Sequence, residues 1–411
     1  PRKRDVRREG LTPHRRHEAA ASRRLPASEP VPSFAAVAKE TLLMVADSER
    51  NADMLYAVGV FLPDPFIWFT ARGKTHVVVN DLELDRVRAE ARHCRTVSYS
   101  RYERRLLKER GCGNVSLADV LTAVLREHDI RKVTVAEAFP VGLAKRLRSR
   151  GIKVKLRQDP FFPDRAWKNT DEVKKISAAV VMAEVGMAEG LQALRRARPD
   201  KSRRLQLNHS PLTAERLRAI IDTAILQAGG QAHRTIVSCG RLSCDPHERG
   251  YGPLLANQPI VIDVFPRSQQ TGYYGDLTRT VVHGRASEFV RAMFAAVRDA
   301  QQSALTTARD GRPAADVHQA ADDIFRKAGF KTSRRNGRLE GFFHGVGHGI
   351  GLDVHEAPRL SSRSRDILRA GHVITLEPGL YYREVGGVRL EDVIHLTRSG
   401  TRNLTKVEKQ L

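Results

Sequence analysis

The stretch that decides the fold runs from Phe343 to Pro358 and reads FHGVGHGIGLDVHEAP. Glycines at positions 345, 347, 349 and 351 oppose a helix, so this is not the helical His-Glu-x-x-His zinc motif. We therefore expect His348 and His355 on extended or looped backbone. A lone histidine is usually a satisfied core or surface residue, and His344 taken alone fits that interpretation. Three histidines within twelve residues of glycine-rich chain indicate a site instead.

Two acids precede this stretch, each in a β-prone apolar run. Asp263 lies inside Pro259–Phe265 (PIVIDVF), and Asp276 begins the run that ends at Val282 (DLTRTVV). A buried carboxylate is costly unless a cation or hydrogen bonds compensate its charge. Two antiparallel strands joined by residues 266–275 would place both aspartates side by side. Like charges at that distance repel each other, which a bound divalent cation would reverse.

Two further predicted strands carry acids among apolar neighbours. They are Val373–Tyr381 (VITLEPGLY), with Glu377, and Val388–Leu396 (VRLEDVIHL), with Glu391. A strand alternates its faces, so we expect one of Glu391 and Asp392 to point inward and the other outward. A salt bridge or an exposed strand face would explain any one acid. Four such acids with one glycine-flanked histidine are better explained as a single site.

The four carboxylates and one imidazole form a candidate metal-ligand set. Oxygen-rich ligation with one nitrogen suits Mn²⁺, Co²⁺ or Fe²⁺ as well as Zn²⁺, and four carboxylates suit two ions better than one. Two ions about 3.5–4 Å apart lower the pKa of a bridging water and polarise a carbonyl. The implied reaction is hydrolysis.

The composition sets the wider frame. The chain has 411 residues, of which 41% are hydrophobic and 28% charged, as expected for two or three globular domains. No run approaches the ~18 apolar residues of a membrane span, so we expect no membrane crossing. The formal charge of +23 attracts polyanions, but aromatics are only 6%, and we expect no specific nucleic-acid partner. Four cysteines in so long a chain favour a reducing cytoplasm.

The chain divides into three predicted parts. The composition of residues 1–33 predicts a disordered basic tail. Residues 34–165 alternate predicted strands and helices, which indicates an α/β domain. Residues 166–411 contain the candidate ligand set. The α/β part has predicted strands Thr41–Ala46, Phe66–Thr70, His76–Val79 and Lys132–Val135 and predicted helices Leu117–Arg126 and Val141–Arg148. After a break at residues 159–168, a long helix capped by Asn169 extends to Pro199, and another covers Thr213–Gln227.

Residues 235–396 resemble the catalytic domain of the pita-bread metallopeptidases, which include methionine aminopeptidase, aminopeptidase P, prolidase and the metal-free creatinase. The matching motifs, in chain order, are IVIDVFP, GYYGDLTRT, HGVGHGIGLDVHEAP, TLEPGLYY and GGVRLEDV. The resemblance implies an α+β pita-bread fold for residues 166–411. It also implies a dinuclear metal centre held by Asp263, Asp276, His348, Glu377 and Glu391, with Asp276 and Glu391 bridging the ions.

The same resemblance implies roles around the centre. Glu377 would also carry the proton from the attacking water to the leaving amine. His355 would contact the substrate or the tetrahedral intermediate, and His247 would act similarly. His344 and Arg389 are assigned to substrate binding, with Arg389 either supporting the ligands or holding a substrate carboxylate.

The first half separates the branches of the family. Residues of about 35 to 165 resemble the creatinase-type N-terminal domain, notably in Asp53–Gly59 (DMLYAVG) and Gly73–Val79 (GKTHVVV). Methionine aminopeptidase is similar only over the catalytic part, and creatinase lacks the acidic ligands. The resemblance therefore implies an Xaa-Pro peptidase, most similar to aminopeptidase P, that acts on peptides with proline in the second position.

Further expectations follow from that resemblance. They are two divalent ions, with Mn²⁺ preferred, and a cytoplasmic homodimer. A prolidase restricted to dipeptides is the nearest alternative. A non-catalytic binding module of the same fold is an alternative from another class, and the presence of all five ligand-type residues argues against it.

Overall fold

The computed structural model describes residues 40–111 and 113–411. The predicted tail, residues 1–33, lies outside the described residues. The first half contains five α-helices within these ranges: α1 (Ala52–Val58), α2 (Leu84–Glu90), α3 (Tyr99–Arg110), α4 (Leu117–Glu127) and α5 (Val141–Ser149). Its strands are β1 (Leu43–Ala46), β2 (Phe66–Ala71), β3 (Lys74–Val79), β4 (Cys94–Ser98), β5 (Lys132–Ala136) and β6 (Lys153–Arg157).

These strands form a mixed sheet with helices on both faces. Strands β1, β2 and β3 are antiparallel, whereas β3 and β4 are parallel, as are β5 and β6. A parallel bridge from Leu42 to Thr134 joins the two groups. In β2, Ile67 and Phe69 pack into the core with α4, while Trp68 packs with α1 on the opposite face. Burial on both faces explains why this strand is continuously apolar.

The four predicted strands and two predicted helices of this half are present, but β4, β6 and α1 to α3 were not predicted. The side chains of β6 (KVKLR) are exposed or half-buried throughout. Tyr102 is the one buried side chain of α3. Tyr99, Tyr102 and Leu106 of α3 and Val154 of β6 pack on the core, and this apolar pattern is too short to predict either element from periodicity.

The second half has four more helices and seventeen strands within the described ranges. The helices are α6 (Thr170–Arg196), α7 (Ala214–Gln227), α8 (Glu288–Thr307) and α9 (Ala314–Lys327). The strands that precede Glu377 are β7 (Arg198–Pro199), β8 (Leu205–Leu207), β9 (Ser210–Pro211), β10 (Gly230–Gln231), β11 (Ile236–Cys239), β12 (Pro259–Val264), β13 (Arg267–Ser268), β14 (Leu277–Val282), β15 (Ser333–Arg335), β16 (Arg338–Glu340), β17 (Gly347–Gly349), β18 (Glu356–Leu360) and β19 (Val373–Leu376). The last four are β20 (Gly379–Tyr382), β21 (Gly386–Arg389), β22 (Asp392–Thr397) and β23 (Gly400–Asn403).

Two sheets and two helix pairs frame the site. The order β11-β12-β14 defines one antiparallel sheet, and β18-β17-β19-β22-β23 defines the other. Helices α6 and α7 pack on the first sheet, and α8 and α9 pack on the second. The helical pairs therefore lie behind the sheets, which leaves the edges where the sheets meet available for polar side chains.

Helix α6 begins as predicted, because Asn169 accepts hydrogen bonds from the backbone N–H groups of Asp171 and Glu172 and forms a capping box. Among the described residues, α6 is the one helix long and apolar enough to cross a membrane, with a mean hydropathy of 1.2 over 18 residues. Its side chains Ala183 and Met187 are buried in the core that it shares with α7. This packing is that of a core helix.

The two halves share part of their interior. Ala52 and Leu55 of α1 pack in one cluster with Val173 and Ile176 of α6. The boundary at residues 165 and 166 stays a prediction, since it falls in the short 3₁₀ segment Pro163–Ala166 and the residues that follow it.

Two strand predictions were wrong. The run of residues 373–381 is broken after Leu376, and the run of residues 388–396 is broken at Leu390 and Glu391, so each run supplies strands to two different sheets. The predicted alternation of Glu391 and Asp392 fails for the same reason, and both side chains are buried. Asp392 instead faces Arg279, whose Nη2 lies 2.8 Å from its Oδ1.

Candidate metal centre

The two aspartates lie on adjacent strands. Asp263 in β12 pairs with Thr278 of β14, so Asp276, two residues before Thr278, shares its face of the sheet. Both carboxylates are buried. Oδ2 of Asp263 accepts a hydrogen bond of 2.8 Å from Arg389, while its buried Oδ1 has no hydrogen-bond partner among the described residues. A cation is the partner that this oxygen lacks.

His348 is held in β17 by very close strand packing. A Cβ at Gly347 would lie 2.0 Å from the Thr375 carbonyl oxygen, and one at Gly349 would lie 2.1 Å from that of Ala357. Only glycine therefore fits on either side of His348, which explains the Gly-His-Gly sequence. The Nδ1 of His348 lies 3.0 Å from the Gly349 carbonyl oxygen, and donation to that oxygen leaves Nε2 as the free nitrogen.

The two glutamates occupy the breaks between strands. Glu377 directly follows β19, and its Oε1 lies 3.3 Å from Nε2 of His348. Glu391 directly precedes β22, and its Oε2 accepts a hydrogen bond of 2.7 Å from Thr278. One ligand atom each from Asp276, His348 and Glu391 lies within 4.8 Å of the others. The breaks thus direct both glutamates toward the aspartates and the histidine.

The electrostatics of this group favour a divalent cation. Burial, followed by repulsion from Asp263 and Glu377, raises the pKa of Asp276 well above its usual range. Burial and Asp276 do the same to the pKa of Glu391, and burial raises the pKa of Glu377 to about 7. Burial lowers the pKa of His348 to about 3, so its imidazole is neutral and able to ligate. Positive charge among these groups would reverse the carboxylate shifts.

A cavity of about 670 Å³ opens over the group. All nine residues that the sequence predicted for the site line it: His247, Asp263, Asp276, His344, His348, His355, Glu377, Arg389 and Glu391. His247 and His355 are exposed at its rim. The His355 ring lies edge-on to that of His348, with the centroids 4.4 Å apart. Partial burial of its ring in the cavity wall lowers the pKa of His355.

Arg389 and His344 are linked through Tyr381. Arg389 donates to the Tyr381 hydroxyl over 2.9 Å, and this hydroxyl lies 3.0 Å from Nε2 of His344. Nδ1 of His344 lies 2.7 Å from the Gly345 carbonyl oxygen and donates to it, which makes Nε2 the acceptor for Tyr381. Burial lowers the pKa of His344 to about 3, consistent with that neutral form. With 3% exposure, Arg389 is held between Tyr381 and Asp263.

Three residues of the site were not predicted. Thr278 of β14 orients Glu391, and Tyr381 of β20 orients Arg389 of β21, by side-chain hydrogen bonds that no periodicity reveals. Arg359 lines the cavity and is exposed, and its guanidinium has no carboxylate within 4.0 Å among residues 40–111 and 113–411. No pattern in the sequence distinguishes it from the other surface arginines.

A cavity that gathers four acids and a neutral imidazole at the junction of two sheets defines a metal-dependent hydrolase. Residues 174–398 match metallopeptidase family M24, and the chain belongs to that family.

Relatives cover both halves of the chain. It is 30% identical over 294 residues to the Xaa-Pro dipeptidase of Pyrococcus horikoshii, which is 69% of this chain and 75% of that protein. The solved prolidase from Pyrococcus furiosus has a TM-score of 0.72 at 21% identity and covers 90% of this chain and 97% of its own. The X-Pro aminopeptidase from Thermotoga maritima has a TM-score of 0.74 at 23% identity, covering 90% and 96%.

These comparisons confirm two predictions. Similarity over 90% of the chain confirms the fold, an α/β creatinase-like N-terminal domain followed by an α+β pita-bread catalytic domain. Family membership confirms that the chain is a metallopeptidase, and it implies divalent metal ions.

Proposed function

We propose that this chain hydrolyses the bond between an N-terminal residue and a following proline, as aminopeptidase P does. The observation that carries the proposal is the convergence of four acids and His348 in one cavity, with ligand atoms of three of them within 4.8 Å of one another. Similarity to the solved X-Pro aminopeptidase includes the first half of the chain. The dipeptidase relative makes a strict prolidase the second candidate.

The ligand set has the chemistry that two divalent ions require. Asp263, Asp276, His348, Glu377 and Glu391 would hold them, with Mn²⁺ as the preferred ion and Co²⁺, Fe²⁺ or Zn²⁺ as alternatives. The unpartnered Oδ1 of Asp263 and the repulsion among the buried acids support this assignment. When bound, the ions supply a water of lowered pKa and Lewis-acid polarisation of the scissile carbonyl.

Glu377 and the side chains around the ligands transfer the proton, bind the oxyanion and position Arg389. Glu377 moves the proton from the attacking water to the leaving amine. His355 and His247, exposed at the rim, donate to the oxyanion that develops on the carbonyl. His344 acts through Tyr381, which fixes Arg389 against Asp263.

The substrate carboxylate is better assigned to Arg359 than to Arg389. The guanidinium of Arg389 is buried and already donates to Asp263 and Tyr381. Arg359 is exposed at the same cavity, and its guanidinium has no acidic partner among the described residues. An unpaired guanidinium binds a free carboxylate in bidentate fashion. Arg359 would therefore hold the C-terminus of a dipeptide substrate.

The cellular setting is also proposed. We infer a cytoplasmic homodimer without a specific nucleic-acid partner. The described cysteines Cys94, Cys239 and Cys244 are all free thiols, which suits a reducing compartment.

The test combines substrates with metal analysis. Xaa-Pro dipeptides, longer Xaa-Pro peptides and Met-initiated peptides are compared after chelation, with and without added Mn²⁺. Asp276→Ala and Glu391→Ala should lose both metal and activity, whereas His355→Ala should keep metal and lose about 10²- to 10⁴-fold in rate. Asp353→Asn is the matched control, since this exposed acid lies near His355 but outside the ligand set. Failure to take up metal or to cleave any of these peptides would favour the binding module.

A further inference from the structure

A second cavity, of about 810 Å³, lies beside the catalytic one. The two share Asp245, Pro246 and Phe343 in their walls. We name it the arginine cavity after the four arginines that line it, Arg241, Arg334, Arg338 and Arg383. The shared residues place the arginine cavity next to the space that the metal-ligand group lines.

The acids of this cavity are already engaged. Each accepts a hydrogen bond from a backbone N–H of the chain, at 3.1 Å for Asp245, 3.0 Å for Glu248 and 3.2 Å for Glu340. Glu340 is moreover buried. The backbone hydrogen bonds leave these acids charged, so four arginines against three acids give the cavity a net charge of 4 − 3 = +1.

The arginines, by contrast, lack acidic partners. Among residues 40–111 and 113–411, no carboxylate lies within 4.0 Å of the guanidinium of Arg334, Arg338 or Arg383. Arg241 has one distant partner, Glu384, at 3.9 Å, and both side chains are well exposed. Such a solvent-exposed pair contributes little. Arg334 donates from Nη1 to the Gly337 carbonyl oxygen at 2.9 Å, and all four guanidinium groups keep further donors for an anion.

A two-stranded hairpin presents two of these arginines, Arg334 and Arg338. Strands β15 and β16 are joined by Asn336 and Gly337, whose φ values of 49° and 77° belong to a tight two-residue turn. The pairing sets Arg335 directly opposite Arg338, an arrangement of like charges that destabilises a hairpin. Arg338 lines the cavity and Arg335 does not. An anion bound at Arg338 would relieve this repulsion.

We propose that the arginine cavity binds acidic side chains at the third and following positions of peptide substrates. The inference rests on the proposed function, since an enzyme that removes one residue before proline leaves all further residues on the C-terminal side of the bond. An extended chain covers about 3.3–3.6 Å per residue, so two or three residues past the proline reach a neighbouring cavity. Arginine and carboxylate groups pair bidentately, which gives the preference for acids.

The test compares kcat/KM for three longer peptides that differ only after the proline: Ala-Pro-Glu-Glu, Ala-Pro-Gly-Gly and Ala-Pro-Lys-Lys. We expect the acidic peptide to be preferred over the neutral one by about three- to tenfold at low salt, and the preference to shrink as salt is added. Arg338→Glu and Arg383→Glu should each abolish or invert the preference. Neither variant should change cleavage of Ala-Pro-Gly-Gly, because no arginine of this cavity is among the proposed ligands or catalytic groups.

Arg309→Glu is the matched control, since it reverses the charge of an exposed arginine that lines neither cavity. An equal effect of Arg309→Glu would show long-range attraction rather than a site and would overturn the inference. Equal kcat/KM for the acidic and neutral peptides would overturn it while leaving the proposed function intact. Cleavage of no Xaa-Pro peptide would refute both. Binding of a single-stranded oligonucleotide that Arg338→Glu weakens, without any peptide preference, would assign the cavity to nucleic acid.

Discussion

Replacing Glu356 by glutamine should loosen the segment that carries His355. The Glu356 side chain is only 6% exposed, and it accepts a hydrogen bond of 2.7 Å from Lys168 and a second from Arg165. Arg165 also donates to Asp53 of α1, at 2.8 Å. The next residue after His355 is thus tied by ion pairs to both the start of the catalytic half and the first half of the chain.

The loss of unfolding free energy in Glu356→Gln depends on which cation, Lys168 or Arg165, is left without a carboxylate partner. The side chain of Lys168 is 1% exposed, and Glu356 is its one carboxylate partner within 4.0 Å in the described chain. Removing one member of a buried pair costs about 3–5 kcal/mol, because the remaining charge is uncompensated. Arg165 adds little to this loss, since it keeps Asp53 and Asp353 at 2.8 Å each.

The pH dependence of this contribution has a definite sign. Burial raises the pKa of Glu356, but Lys168 and Arg165 outweigh it and lower the pKa below the usual value. A group whose pKa is lower in the folded state stabilises the protein above its unfolded pKa, about 4.3 for glutamate, and this contribution is lost as the pH falls further. The difference in stability between the parent and Glu356→Gln should therefore be full at pH 7 and shrink below pH 4.

The assay is urea unfolding at pH 7, followed by the fluorescence of the chain, together with kcat and bound metal. Glu356→Gln should unfold at lower urea and turn over more slowly with its metal content unchanged. The double variant Glu356→Gln/Lys168→Met leaves no unpaired charge and should recover most of the stability. Asp53→Asn should cost less, because Arg165 retains two acids. Parent-like unfolding of Glu356→Gln, or a double variant no better than the single one, would refute this reasoning.

Three shorter predictions concern other parts of the chain. Gly347→Ala places a methyl group 2.0 Å from the Thr375 carbonyl oxygen and should abolish metal uptake measured by elemental analysis, whereas Gly142→Ala, with open space at its Cβ, should not. Burial lowers the pKa of His76 to about 4, so the folded protein should lose stability as the pH falls from about 6.5 toward 4. His76→Leu should flatten that loss in acid unfolding curves. Chelation should lower the melting temperature of the parent and Mn²⁺ restore it, with no change in Asp276→Ala.

Elements whose causes are local could be predicted from the sequence. The capping box at Asn169 and the apolar stripe that follows it define α6, and the Thr213 side chain caps α7 in the same way. Asp263 was predicted beside Asp276, and the pairing of β12 with β14 gives that arrangement. In each case the deciding interaction lies within one helix or one pair of strands.

Features that depend on distant contacts could not be predicted. The pair of Arg165 and Glu356 joins residues 191 positions apart, and the bond of Arg389 to Asp263 spans 126 positions. The arginine cavity depends on how the hairpin of Arg338 sits beside the loop of Asp245. Sequence periodicity describes the faces of single elements, whereas these arrangements arise from the packing of several elements.

The failed alternation at Glu391 shows why the sheet changes where it does. Four consecutive residues are buried, and each faces a different partner: Arg389 pairs with Asp263, Leu390 enters the apolar core, Glu391 accepts from Thr278, and Asp392 pairs with Arg279. One continuous strand has two faces and would expose one of the two acids to the apolar core or to solvent. Ending β21 at Arg389 and starting β22 at Asp392 gives each acid its own direction. The break between β21 and β22 thus places Glu391 in the catalytic cavity. Asp392 holds the same segment through its ion pair with Arg279.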